Sequence, residues 1–208
     1  MDESLKKSDK LDGVIRFPRF QPRSPWINGD LQTLRNTLLR PAIDLSPWPG
    51  HRVWVEMSDG SGDRLAAMLH RPKPEPTAGK PLIVLIHGLT GCEDSFYIRR
   101  SAREALRRGH PVLRVNLRGA GPSRRKSCYQ YHAGRTEDLH DLLKGVSLRE
   151  PDSVAAGAVL VGYSLGGNLV IKYLAEDWER PVDIRAAVSI SAPIDLKATQ
   201  RRIMQPRN

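Results

Sequence analysis

Leu82-Ile83-Val84-Leu85-Ile86 is an unbroken apolar run, and a strand apolar on both faces is stable where both faces of its sheet are covered. Val112, Leu113 and Val115, then Ala158-Val159-Leu160-Val161, then Ala186 to Ile190 give three further strands. Helical spacing lies between them. Ile98, Ala102, Ala105 and Leu106 recur on one face and stop at Gly109, a C-terminal cap residue. Leu139, Leu142, Leu143 and Val146 form a second stripe, with Thr136 placed to cap it, and Leu165 to Leu174 reads as a third helix. The order βαβαβαβ predicts an α/β fold, a mostly parallel sheet with helices on both faces. Upstream, Val53, Val55 and Met57 alternate with polar neighbours, Asp59-Gly60-Ser61-Gly62 interrupts, and Leu65 to Leu69 resumes, which predicts an antiparallel hairpin ahead of the parallel series. A short helix is expected near Asp30 to Leu39. The expected organisation is a disordered tail over 1–16, the α/β domain over 17–196 and a separate tail over 197–208.

Composition narrows the classes. A chain of 208 residues with 39% hydrophobic and 27% charged residues has the balance of one globular domain. Its longest apolar stretches fall far short of the roughly 18 residues of a membrane span, and Met1 to Gly13 lacks the apolar core of a secretory signal. Cytoplasmic location and no integral membrane contact are therefore expected. Cys92 and Cys128 lack metal-ligand spacing and are too few for a disulfide framework, so both are read as reduced. The net charge of +10 is spread over Arg99, Arg100, Arg107, Arg108, Arg114 and Arg118, with one compact run at Arg124-Arg125-Lys126. No aromatic residues interleave it as in a nucleic-acid platform, so no nucleic acid is expected as partner. The weaker alternative is attachment to anionic membranes or RNA, with a steep salt dependence. Oligomeric state is not encoded in these patterns.

Gly162-Tyr163-Ser164-Leu165-Gly166 is a G-x-S-x-G sequence that follows one buried strand and opens a helix. A serine on so sharp a turn is strained, and side chains two positions before or after it would collide with the adjoining strand and helix, which is the mechanical reason for Gly162 and Gly166. Its Oγ would stand at the carboxyl end of the sheet, where open α/β sheets bind ligands. His87-Gly88-Leu89-Thr90-Gly91 directly follows the first parallel strand. Acyl transfer to serine needs two backbone N–H donors for the developing oxyanion, and Leu89 and Leu165 are the candidates. Gly88 allows close approach of the loop, and Tyr163 flanks the serine. His87 is expected to prop the loop rather than act as base.

With these motifs the chain resembles the YheT-like branch of the α/β-hydrolases, a group of serine esterase or lipase-like proteins. The resemblance runs from about residue 17 to about residue 196. It includes Phe20-Gln21-Pro22, Trp26 to Thr33 (with Asp30 where the group commonly has histidine), Asp59-Gly60, Asn116-Leu117-Arg118-Gly119 with Gly121, and Gly162 to Gly167. It implies an α/β-hydrolase fold with eight strands in mixed order. It also implies hydrolysis of carboxylic esters, with a small-molecule acyl ester or lipid as substrate and with no cofactor or metal.

A serine hydroxyl needs a base and a group that orients the base, in the order serine, acid, histidine in this fold. His51, His70, His87, His110, His132 and His140 all precede Ser164. The sequence is therefore expected to be C-terminally truncated relative to the family, lacking its last strands, and either incomplete as an enzyme or a non-catalytic remnant that binds acyl ligands or a protein. Asp195 reads as an acid partner in a shifted triad or as the N-cap of a helix over Lys197 to Met204, the latter preferred. Without a further neighbour, the strand Ala186 to Ile190 would be an exposed apolar edge.

Overall fold

A computed structural model describes residues 19–29, 31–32, 35, 42–72 and 79–205. The chain forms two compact units, residues 1–41 and 42–208. In the first, Trp26 N–H donates to Arg23 O at 2.8 Å, closing a turn. Asn28 Oδ1 accepts from Leu31 N–H at 2.8 Å, so Asn28 starts the helical turn expected from Asp30. Leu31, Gln32 and Arg35 are helical, and the other positions of that expected helix, like the 1–16 tail, lie outside the described residues.

The second unit is built on six strands, β1 (Gly50–Glu56), β2 (Arg64–His70), β3 (Leu82–Ile86), β4 (Val112–Val115), β5 (Ala158–Tyr163) and β6 (Ile184–Ile190). Their order across the sheet is β1-β2-β4-β3-β5-β6. β1 and β2 form the expected hairpin, β2 pairs antiparallel with β4, and β4, β3, β5 and β6 are parallel. The resemblance implied eight strands; six occur among the described residues.

The helices are α1 (Phe96–Arg107), α2 (Thr136–Arg149), the single turn α3 (Pro151–Val154), α4 (Leu165–Ala175) and α5 (Leu196–Met204), with a 3-10 helix at Gly121–Lys126. Two separate cores show that both faces are covered. On one face Ile98, Ala102 and Leu106 of α1 pack with Leu85, Val112, Ile43 and Leu45. On the other, Leu139, Leu142, Leu143 and Val146 of α2 and Leu169, Val170 and Tyr173 of α4 pack with Val84, Ile86, Val115 and Leu160. Burial of this kind stabilises by roughly 25 cal/mol per Å² of apolar surface, and it explains why β3 has no polar position.

One local expectation needed revision. Thr136 is the first helical residue, not the cap; its hydroxyl donates to Glu176 Oε2 at 2.5 Å, and Arg135 precedes the helix without a side-chain cap. The long segment after β4 contains the 3-10 helix, with Pro122 in its first turn. Buried Ser123 pins that helix to the sheet, its Oγ accepting from Ala66 N–H at 2.8 Å. The four-residue α3 was also not anticipated. Asp195, by contrast, is an N-cap as preferred, its Oδ1 accepting from Ala198 N–H at 2.8 Å.

β6 pairs with β5 on one side, and Arg185 to Ser189 are exposed, Val188 at 45%. An open apolar edge templates strand addition from another chain. The polypeptide of residues 1–208 is accordingly expected to self-associate at micromolar concentration, and Val188→Lys to shift it toward monomer in light scattering. A parent chain that is monodisperse and monomeric at that concentration would refute this.

Candidate active site

β5 ends at Tyr163, α4 starts at Leu165, and the whole reversal falls on Ser164, with φ 52° and ψ −118°. A non-glycine residue there is strained by about 1–3 kcal/mol and persists because its surroundings over-determine it. The constraints are visible. Ser164 N–H donates to Ile190 O of β6 at 2.8 Å, and Ser164 O accepts from Asn168 N–H at 3.1 Å. Asn168 Nδ2 donates to Pro193 O at 3.1 Å, tying the first turn of α4 to the segment after β6.

The two flanking glycines are required by space. A Cβ at Gly162 would run into the Gly166 carbonyl, and one at Gly166 would lie 2.5 Å from His87 O and 2.7 Å from Ile86 O. Close contact of α4 with the end of β3 brings the loop after β3 to the serine. A Cβ on Gly88 would stand 3.0 Å from Ser164 Cβ and 3.7 Å from Ser164 Oγ. Ser164 itself is exposed, and its Oγ has no hydrogen-bond partner among the described residues.

His87 is fully buried and held at both nitrogens. Nε2 accepts from Leu117 N–H at 3.1 Å, which puts the ring proton on Nδ1, where it donates to Gly88 O at 2.8 Å. Burial pushes its pKa below the ordinary imidazole value, against the opposing effect of the Gly88 hydrogen bond, so the ring is neutral at pH 7. It props the loop. The other histidines are engaged elsewhere: His51 with Glu150, His70 with Trp48 O and Arg114, His110 with Pro81 O, His132 with Gly134 N–H, and His140 stacked on Trp178.

Leu89 is 59% exposed, and neither its N–H nor that of Leu165 is paired with an acceptor among the described residues. Tyr163 shares a 2.5 Å hydrogen bond with Ser101 Oγ, and its ring lies 4.8 Å from that of Tyr97.

Sequence reading missed the groups that hold the loop. Gly88 N–H donates to Tyr97 OH at 3.1 Å and Thr90 N–H to Tyr131 OH at 2.8 Å. At the foot of the loop, buried Glu93 takes both terminal nitrogens of Arg52 at 2.6 Å and Asn116 Nδ2 at 2.7 Å. These partners are far apart in sequence and carry no periodic or motif signal; Asn116 alone stood in a quoted stretch.

A serine at positive φ between a central parallel strand and a helix, faced by a glycine loop from the neighbouring strand, is the constellation of the α/β-hydrolases. Residues 81–205 match the alpha/beta hydrolase fold family, and the chain belongs to it. It is 32% identical over 180 residues to YheT of Escherichia coli (strain K12), covering 86% of this chain and 50% of that protein. It is 29% identical over 126 residues to the monoacylglycerol lipase of Saccharomyces cerevisiae, covering 60% of this chain and 27% of the lipase. The chain thus spans half or less of the length of these relatives. The esterase Pf2001 of Pyrococcus furiosus has the same fold, with a TM-score of 0.63 at 22% identity over 77% of this chain and 58% of that one. Among the described residues no helix is long and apolar enough to cross a membrane.

Proposed function

We propose that this chain carries the nucleophile and oxyanion donors of a serine hydrolase acting on carboxylic acyl esters. The observation that supports it best is Ser164 at φ 52°, exposed, with Gly88 packed against it. Ser164 Oγ gives up its proton to a base and bonds to the ester carbonyl carbon, and the Leu89 and Leu165 N–H groups take the charge that develops on the carbonyl oxygen. The acyl C–O bond breaks and the alcohol leaves with the proton, and water then cleaves the acyl-serine to the carboxylic acid and free serine. All six histidines are bonded to or stacked on other groups, and none of them is read as the base of Ser164. The monoacylglycerol lipase among the relatives favours a small acyl ester or lipid as substrate.

Residues 1–208 alone are expected to hydrolyse short and medium p-nitrophenyl esters slowly, at a rate that Ser164→Ala reduces to background. Equal background rates from both proteins would favour the alternative, a non-catalytic remnant that binds acyl ligands or a protein partner.

A further inference from the structure

The loop after β3, whose Gly88 packs against Ser164, carries a run of backbone N–H groups, and an oxyanion site needs a donor in a defined place rather than several in a mobile one. Three of the four amides from Gly88 to Gly91 are already bound. Gly88 N–H goes to Tyr97 OH at 3.1 Å, Thr90 N–H to Tyr131 OH at 2.8 Å, and Gly91 N–H back to Gly88 O at 3.1 Å. Leu89 N–H, between the two tyrosine-bound amides, is the one left open.

We propose that Tyr97 and Tyr131 are positioning residues that clamp the loop on either side of Leu89 and leave its N–H free to receive the oxyanion. This rests on the reading of Ser164 as nucleophile and Leu89 as donor. The two phenols come from opposite sides. Tyr97 belongs to α1, and its ring packs on Tyr163, the residue before the serine, so one side chain touches both halves of the site. Tyr131 belongs to the segment between the 3-10 helix and α2, and its ring meets His87 edge-on at 5.6 Å and 88°. Its backbone N–H donates to Arg118 O at 3.0 Å, which ties it to the stretch after β4. The clamp also accounts for Thr90 at φ 60°: the backbone turns sharply there while its N–H is held. A Cβ at Gly91 would lie 2.6 Å from Tyr97 OH, so the glycine clears space for that phenol.

The test uses the 208-residue chain and diethyl p-nitrophenyl phosphate at pH 9. The Ser164 Oγ–P bond forms, the P–O bond to nitrophenol breaks, p-nitrophenolate leaves, and hydroxide takes the serine proton. The phosphoryl oxygen gains charge where the ester oxyanion would, so the rate of Ser164 adduct formation, followed by intact mass, reports the donors without requiring a histidine. Tyr97→Phe and Tyr131→Phe keep their rings, and each is expected to slow the adduct about 10-fold, less than the roughly 100-fold of losing a donor outright. Thermal unfolding should stay near the parent's. In amide exchange, Gly88 should lose protection in Tyr97→Phe and Thr90 in Tyr131→Phe, each without the other. Unchanged adduct rates in both variants, with Ser164-specific labelling intact in the parent, would overturn the clamp and leave the nucleophile reading standing. Labelling of Ser164→Ala equal to the parent's, or none in the parent, would remove both.

Discussion

Replacing Arg118 by alanine is expected to destabilise the chain by about 3–5 kcal/mol, the cost of leaving buried charges without their partner. The Arg118 side chain is 1% exposed and reaches three carboxylates. Its Nε and one terminal nitrogen grip Asp138 at 3.0 and 2.6 Å; the other terminal nitrogen takes Asp63 at 2.9 Å and Asp59 at 3.0 Å. The guanidinium thereby joins the β1–β2 turn, the stretch after β4 and the first turn of α2. Burial alone would raise the Asp63 carboxyl, but the amides of Cys128 and Tyr129, with Arg118, overcome it and hold it below its ordinary value. Asp59 lies at about 2, chiefly through the Ser61 hydroxyl, against a smaller effect of burial, with Arg118 and Arg135 adding to the depression. Both carboxyls sit below their unfolded value of about 3.9, so what they contribute is complete above about pH 4 and is lost as pH falls toward 2.

In the alanine variant Asp63 keeps the burial that raises its carboxyl and the amides that lower it, but loses the cation, so its pKa rises from the parent's depressed position and the stability it contributes above about pH 4 shrinks. The deficit measured by urea unfolding should therefore be full above about pH 4 and narrow as pH falls toward 2. Arg118→Lys should recover part of it, since one ammonium cannot reproduce the paired contacts to Asp138 and Asp63. A deficit below about 1 kcal/mol at pH 7, or one that does not change with pH, would show that the surrounding amides satisfy these carboxylates without the arginine.

This network also marks the limit of what the sequence discloses. Gly162 and Ser164 were legible because the constraint is local: strand, turn and helix meet within five residues, and Gly162 is fixed by the Gly166 carbonyl of that same turn, whereas Gly166 was legible from the motif although the atoms that fix it, His87 O and Ile86 O, lie at the end of β3. The succession of strands along the chain followed from apolar runs, a signal that is local in the same way. Arg118 stood in the sequence as one of many scattered basic residues, since Asp63 and Asp59 are more than fifty positions away and no spacing rule links them. Tyr97 and Tyr131 were silent likewise, a tyrosine on an amphipathic helix and another in a loop, until folding placed their hydroxyls against the loop amides. Thr136 misled because a threonine before a helical stripe has the signature of a cap, while the competing partner, Glu176, lies forty residues on.

Gly166→Ala is expected to lower the unfolding temperature and to abolish Ser164-specific phosphorylation, and opposing magnitudes decide its sign. Alanine in place of glycine inside a helix gains roughly 1 kcal/mol from propensity. Against this, the added carbon would sit 2.5 Å from His87 O and 2.7 Å from Ile86 O. Both are backbone atoms at the end of a central strand, so no side-chain rotation relieves the contact. The start of α4 must retreat from β3, and overpacking of this kind costs about 3 kcal/mol. The net loss of about 2 kcal/mol corresponds to a fall of roughly 4–8 °C for a domain of this size. Retreat also moves Ser164 and Leu165 N–H away from the Gly88 loop, so the chemical readout should fall further than stability does. Gly134→Ala is the control: its Cβ would meet the His132 ring at 3.4 Å, ordinary contact, and should change stability by less than about 0.5 kcal/mol. If Gly166→Ala unfolds at the parent's temperature and labels at the parent's rate, the helix and strand are not in the close contact that brings the serine and the loop together.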